Sequence, residues 1–374
     1  MSVHLSISAL PSATEQPAHV TFAPEFQLAL DCCRWNFTAG GGAPVAPPPG
    51  LDWSRFVELV RFHRIQGLAR SALAVGTPPD EALDELFADS RTIAAANLKA
   101  AAHCALLHEA LRAAGIDVLF IKGLTLSALA YGDAFLKMSS DIDILVDPEN
   151  VGPAAAVLRR TGHRLVVPRE DADVIRWHGT SKESSWLHAK SGLYVELHSA
   201  LVDNPRLIPG IGMSSPRQEV PIGGVGTLPT LATDELVAYL FVHGASTAWF
   251  RLKWIADISA LLHRRGPAEA ERLYRFARNR RAGRAPAQAL LLAGRLFALP
   301  LPPGVQDDIE RDRLNRLLAA SALRQMENAR EPTERIAGTI PMRLSKAFLM
   351  KGAAFPVAEL ARQVADVARR RFFT

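Results

Sequence analysis

Two aspartates one residue apart, Asp141 and Asp143, interrupt the apolar run of Ile142, Ile144, Leu145 and Val146 in the segment KMSSDIDILVDPEN, residues 137–150. Side chains of a strand alternate faces, so both carboxylates point the same way. Two carboxylates a few ångströms apart in a partly dry site repel; either one is protonated or a cation sits between them. Fully charged oxygen ligands suit Mg²⁺, which takes one or two carboxylates and completes its shell from water and substrate phosphates. The competing reading is a strand end whose acids are solvated or cap the next turn.

A third acid occurs in the same context. In LYVELHSAL, Tyr194, Glu196 and His198 share one face of a strand, while Val195 and Leu197 take the other. If this strand pairs beside the first, Asp141, Asp143 and Glu196 converge into a site able to hold two metal ions for phosphoryl or nucleotidyl transfer. His198 reads as a hydrogen-bonded neighbour of that site. Phosphates also need a cradle. In FIKGLTLSALAYG, Lys122 and Gly123 lie at a strand-to-helix turn, with Gly123 eighteen residues before Asp141. Gly123 permits close backbone approach, the helix N-terminus offers free N–H groups, and Lys122 supplies a point charge.

The elements that must position these residues follow from pattern and punctuation. PPDEALDELFADSRTIAAANLKAAAHCALLHEALRAAG, 78–115, reads as one long helix or two, ending at Gly115. Residues 116–123 read as a strand, 124–133 as a helix, 139–147 as a strand and 148–163 as a helix with a proline in its first turn. Short strands are expected at 164–167 and 192–201, and a strand or hairpin at 218–231. From Thr233 onward the pattern is helical, including 249–266 and a basic amphipathic helix at 356–373. The order divides the chain into a loose tail at 1–20, an N-terminal helical region at 21–110, a core at 111–231 and a C-terminal helical region with a basic tail at 232–374. The fold class is α+β, a small mixed β-sheet core flanked by N- and C-terminal α-helical regions.

Composition narrows the class. Hydrophobic residues at 48% and charged residues at 22% are globular values. No uncharged apolar run reaches eighteen residues, so no transmembrane helix is expected, and residues 1–26 do not read as a signal peptide. Cys32, Cys33 and Cys104 give no disulfide framework and read as buried apolar side chains in a reducing, cytoplasmic setting. The net charge of +5 resides in the tail. Residues 335–374 carry eight basic side chains and two acids, leaving the rest near neutral. That tail reads as a helix packing on the body. Few aromatics accompany its arginines, so nucleic acid is not favoured as a partner.

The succession IDVLFIKGLTLSALAYGD, KMSSDIDILVD, YVELHSAL, ELVAYLFVHGAS and WFRLKWIADISALL resembles the uncharacterised nucleotidyltransferase-like family of bacterial proteins, within the DNA polymerase β-type superfamily. The resemblance covers roughly residues 50–265. It implies a small mixed sheet holding two Mg²⁺ ions and a nucleoside triphosphate. Asp141 and Asp143 would hold both metals, and Glu196 the catalytic one. Either Glu196 or Asp143 would take the proton of the attacking hydroxyl.

The chain departs from the superfamily pattern in two places. Its turn reads Lys122-Gly123-Leu124-Thr125 where the superfamily has Gly-Ser, so Thr125 or Ser127 stands in for the phosphate-touching serine. Lys137 is the nearest base before the aspartates, where related proteins often have an arginine. Lysine keeps the charge and loses the bidentate fork. Ser140, beside Asp141, joins Lys122, Gly123, Thr125 and Lys137 as a nucleotide-binding candidate. The resemblance further implies that His243, Lys253 and Asp257 face the nucleotide. Spacing alone reads His243 as a core histidine and Lys253 with Asp257 as a surface i, i+4 ion pair. The reading is a Mg²⁺-dependent nucleotidyltransferase moving a nucleoside monophosphate from an NTP to a hydroxyl or phosphate acceptor that the sequence leaves open, the resemblance pointing to a small molecule, peptide or protein. Its rivals are a non-catalytic scaffold of the same fold and a toxin acting on tRNA or protein.

Overall fold

The computed structural model describes residues 22–38, 43–73, 79–169, 173–334 and 338–373. The tail expected at 1–20 lies outside them. Three short helices open the described chain: α1 (Pro24–Trp35), α2 (Trp53–His63) and α3 (Gln66–Ala72). The Asp52 carboxylate accepts from Arg55 N at 3.0 Å and starts α2, which Arg64 ends in a left-handed conformation. The Ala/Leu-rich stretch forms a single 34-residue helix, α4 (Asp80–Ala113).

The mixed segment follows as β1 (Leu119–Phe120), α5 (Leu124–Tyr131), β2 (Asp141–Leu145), α6 (Val151–Arg160), β3 (His163–Val167), α7 (Val174–His178), β4 (Glu183–His188) and β5 (Tyr194–His198). The sheet order is β1-β2-β5-β4-β3, with β2 and β5 parallel and the other neighbours antiparallel. A hairpin of β6 (Arg217–Ile222) and β7 (Gly226–Leu231) stands apart as a two-stranded sheet. Helices complete the chain: α8 (Thr233–Ser246), α9 (Leu252–His263), α10 (Pro267–Asn279), α11 (Ala285–Phe297), α12 (Pro303–Glu310), α13 (Arg313–Asn328), α14 (Ile340–Ala347) and α15 (Ala354–Phe373). None is long and apolar enough to cross a membrane.

The α+β class and the helix–core–helix order agree with the sequence, while several boundaries do not. The strand expected at 116–123 ladders only at Leu119–Phe120, with one further bond from Ile121 N to the Asp143 carbonyl at 3.2 Å. The strand at 139–147 contracts to Asp141–Leu145, and that at 192–201 to Tyr194–His198. A 3₁₀ turn at Pro148–Asn150 precedes the helix expected from 148. Strand β4 was not expected at all. Its sequence, ESSWLH, carries only Trp186 and Leu187 as apolar residues, and its pairing with β3 and β5 is tertiary.

The sheet divides two apolar cores. Ile142, Ile144, Val146, Val195 and Leu197 pack with Leu107, Leu111, Val157 and Leu158 of α4 and α6. The second core joins the N-terminal helices to α8–α13, from Phe26 and Phe56 to Phe241, Leu292 and Met326. Period-two alternation therefore sends the acidic face of β2 and β5 toward α8 and α9. Cys32, Cys33 and Cys104 are buried thiols, as expected.

Candidate active site

The β2–β5 register sets Asp143 directly opposite Glu196, Asp141 opposite Tyr194 and Leu145 opposite His198. Strand β4 sets Glu183 opposite His198 and Ser185 opposite Glu196. The acids of three adjacent strands thus share one face of the sheet. Among the described residues, Asp143, Glu196 and His198 are the group able to hold a metal ion, with ligand atoms within 4.8 Å of one another. Asp141 is outside that group.

Asp143 is 4% exposed and does not stand unpaired. Lys122 Nζ lies 2.8 Å from its Oδ1, and His198 Nε2 lies 3.1 Å from the same oxygen. Burial alone would raise the pKa of Asp143, but the Lys122 and His198 charges outweigh it and hold the carboxyl well below the usual range. Burial pulls His198 down and Lys182 repels it. Its bonds to Asp143 and Glu196 and the nearby Glu183 nevertheless leave it above its ordinary value. Its Nε2 is 3.5 Å from Glu196 Oε2, and its Nδ1, without a hydrogen bond, is 3.4 Å from Glu183 Oε2. Burial raises Glu196, with further repulsion from Asp143 and Glu183. Burial and the neighbouring Asp143 likewise raise Asp141. The site therefore pairs one firmly ionised acid with two that hold protons more tightly.

The turn above the acids is built around Gly123. Its φ of 67° favours glycine, and a Cβ there would meet Ser139 Oγ at 2.8 Å. Ser139 Oγ in turn donates to the Asp141 carbonyl at 2.9 Å, which binds the turn to β2. Lys122 and Gly123 thus reach the acids as expected, although the Lys122 ammonium is spent on Asp143. Thr125 does not present its hydroxyl to the site; it donates to the Phe120 and Lys122 carbonyls at 2.9 and 3.1 Å, and Ser127 is turned to the Asp133 carbonyl. Local helix-start bonding takes precedence at Thr125, and a bond to the carbonyl just past the end of α5 does so at Ser127.

The remaining candidates separate. Ser140 is exposed and donates to Asp141 Oδ1 at 3.1 Å. Lys137 is 6% exposed and pairs with Asp257, whose other oxygen accepts from Tyr131 at 3.0 Å. The surface pair expected between Lys253 and Asp257 is therefore corrected: Asp257 is 2% exposed and its ammonium partner comes from the loop before β2. Lys253 is half-buried near Asp141. Burial lowers its pKa to about 7, with Lys137 and Arg64 repelling it and Asp257 and Asp141 opposing the shift. His243 packs edge-on against Trp254, with ring centroids 5.8 Å apart, and burial and the nearby lysines hold it neutral.

Sequence reasoning missed three charged neighbours. Glu183 and Lys182 form an ion pair beside His198 and come from the unexpected strand β4 and the residue before it. Arg64 reaches Ser140 Oγ at 3.1 Å from 76 residues upstream. No local pattern marks it. A cavity of about 220 Å³ opens at the Glu183 end, lined by Lys182, Glu183, Asn204 and His243 and closed by Met342, Lys346 and Arg362.

The profile of a family described as an uncharacterised nucleotidyltransferase matches residues 49–298. That span contains β1–β7, all four acids and helices α2–α11, and ends before α14 and α15. No curated protein matches the chain.

Proposed function

The chain belongs to that uncharacterised nucleotidyltransferase family, and from this premise we propose that it moves a nucleoside monophosphate from an NTP to a hydroxyl or phosphate acceptor. The acceptor oxygen attacks the α-phosphorus, the α–β phosphoanhydride bond breaks, pyrophosphate leaves, and a hydroxyl acceptor gives its proton to a carboxylate. The observation carrying this reading is the convergence of Asp143, Glu196 and His198 within 4.8 Å, beside the Gly123 turn.

The two carboxylates Asp143 and Glu196, with Asp141 adjacent, fit a divalent cation, and His198 stands beside them as a hydrogen-bonded neighbour of Asp143. Mg²⁺ is the ion that this chemistry favours, and two are expected of a nucleotidyl-transfer site. Bound there, Mg²⁺ supplies charge neutralisation of the phosphate oxygens. The residues divide the remaining work. Asp143, held ionised by Lys122 and His198, is suited to holding cations. Glu196, whose proton affinity is raised, is suited to accept the proton of the attacking hydroxyl. Gly123 and the N-terminus of α5 present backbone N–H groups to phosphate. Among the described residues, the wall of the cavity beyond Glu183 has no Phe, Tyr or Trp for a nucleobase to stack on and carries Lys346–Asp203 and Arg362–Glu359 ion pairs. It suits a polar acceptor.

One observation favours the rival, a non-catalytic nucleotide-binding protein: the Lys122 ammonium occupies the Asp143 oxygen that a metal would use. Calorimetry with each of the four NTPs and Mg²⁺ separates the two when combined with pyrophosphate release. Binding followed by pyrophosphate release supports transfer. Binding without pyrophosphate release supports the rival, and no binding of any NTP removes both.

A further inference from the structure

The charge of a nucleoside triphosphate adds to that of the carboxylates, and two divalent cations do not offset both, so the turn needs cations of its own. The two lysines that sequence offers are already committed, Lys122 to Asp143 and Lys137 to Asp257. At the Asp141 end stand two others, Arg64 and Lys253, neither within ion-pair distance of a carboxylate among the described residues. We infer that Arg64 is a triphosphate-binding residue of this site, its guanidinium fork gripping the phosphates that lie over Ser140 and the Gly123 turn. This rests on the nucleotidyl-transfer reading above.

The surroundings hold Arg64 in place more firmly than a surface arginine requires. Its backbone adopts φ 55° and ψ 45°, a conformation uncommon outside glycine, asparagine and aspartate. The preceding residue, His63, is fully buried; it accepts from Leu252 N at 3.0 Å, so its other nitrogen donates to the Met326 carbonyl at 3.1 Å. One imidazole thereby fixes the residue before Arg64 and the residue before Lys253. On the other side, Gly67 lies so close to the loop before β2 that a Cβ would sit 1.8 Å from the Leu136 carbonyl oxygen. That contact sets the start of α3 against the segment carrying Ser140. Ser140 is exposed and links Arg64 to Asp141 through hydrogen bonds of 3.1 Å on each side. The fork therefore stands at the open mouth of the acids, and its planar donors match phosphate oxygens bidentately.

The test is calorimetry on the full chain with MgATP, with sodium tripolyphosphate as a probe without a nucleoside, and with AMP. Arg64→Asn tolerates the left-handed backbone and removes the charge; Arg64→Lys restores a point charge without the fork. Arg64→Asn should weaken MgATP and tripolyphosphate at least tenfold and change AMP by less than twofold, with Arg64→Lys recovering part of the loss. Equal binding of MgATP and tripolyphosphate by wild type and Arg64→Asn would overturn the assignment and leave nucleotidyl transfer standing. A loss of AMP as large as the loss of MgATP, without rescue by lysine, would mark Arg64 as merely structural and also overturn it. If the wild type binds neither MgATP nor tripolyphosphate, the nucleotidyl-transfer reading itself falls, and this inference with it.

Discussion

Replacing Lys122 by methionine keeps the volume of the side chain and removes the charge that holds Asp143 ionised. The ammonium and carboxylate are 2.8 Å apart, with side chains 19% and 3% exposed. At an effective dielectric of about 20, two unit charges at that distance attract by about 6 kcal/mol. Removing the ammonium also ends its own desolvation, which returns a large part of that energy. A net loss of about 3 kcal/mol follows, within the range for breaking one side of a buried pair. The sign of the pH dependence is set by Asp143. A carboxyl held below its unfolded value contributes stability that is complete above about pH 4 and is lost as pH falls through the folded value. In Lys122→Met only His198 still opposes the burial of Asp143, so its carboxyl takes a proton more readily than in the wild type; the destabilisation is greatest at pH 7, where the buried carboxylate is charged, and shrinks as pH falls toward 4. Urea unfolding at pH 7 and pH 5 measures both effects. Added Mg²⁺ should restore part of the loss, because a divalent cation takes the vacated side of Asp143. A variant within 0.5 kcal/mol of wild type at pH 7, with the same pH slope and no response to Mg²⁺, would refute the claim that Lys122 is the counter-charge of this site.

Further outcomes follow from the same structure. Gly123→Ala should cost about 2 kcal/mol, since φ 67° is strained for any side chain and Cβ would meet Ser139 Oγ at 2.8 Å. Adding Ser139→Ala should leave most of that cost in thermal unfolding, because the strain resides in the backbone; full recovery would contradict this. The second concerns His103, His163 and His188, whose rings cluster on the far side of the sheet with centroids 4.7–5.0 Å apart. Burial and mutual repulsion lower His103 and His163 to about 4. The unfolded chain therefore binds protons first, and stability should fall from about pH 6.5 toward pH 4, by about 2 kcal/mol for the pair between pH 7 and 5 after solvent screening. Urea midpoints of wild type and His163→Gln check this; equal slopes in that window would contradict it.

The parts of the site legible in sequence are those written in local periodicity. Ile142, Ile144, Val195 and Leu197 alternate with the acids, so the shared face of Asp141, Asp143 and Glu196 could be read from spacing, and Gly123 marks the turn. The strand pairing then brings Asp143 opposite Glu196. What could not be read is tertiary. Lys122 and His198 compensate Asp143 only once β1, β2 and β5 are assembled. Glu183 was missed because ESSWLH alternates too weakly to announce a strand. Lys137 reads as a phosphate contact until α9 brings Asp257 to it across 120 residues. Arg64 sits at the end of a helix whose own pattern says nothing of a site.

Nucleotidyl transfer is tested most directly by following the γ-label of an NTP. Purified protein is incubated with Mg²⁺ and γ-³²P-labelled NTPs, and the labelled product is separated. Cleavage at the α-phosphorus predicts labelled pyrophosphate, slow with water as acceptor, and its loss in Asp143→Asn and Glu196→Gln. Labelled orthophosphate instead of pyrophosphate, or pyrophosphate release unchanged in both variants, would contradict the account.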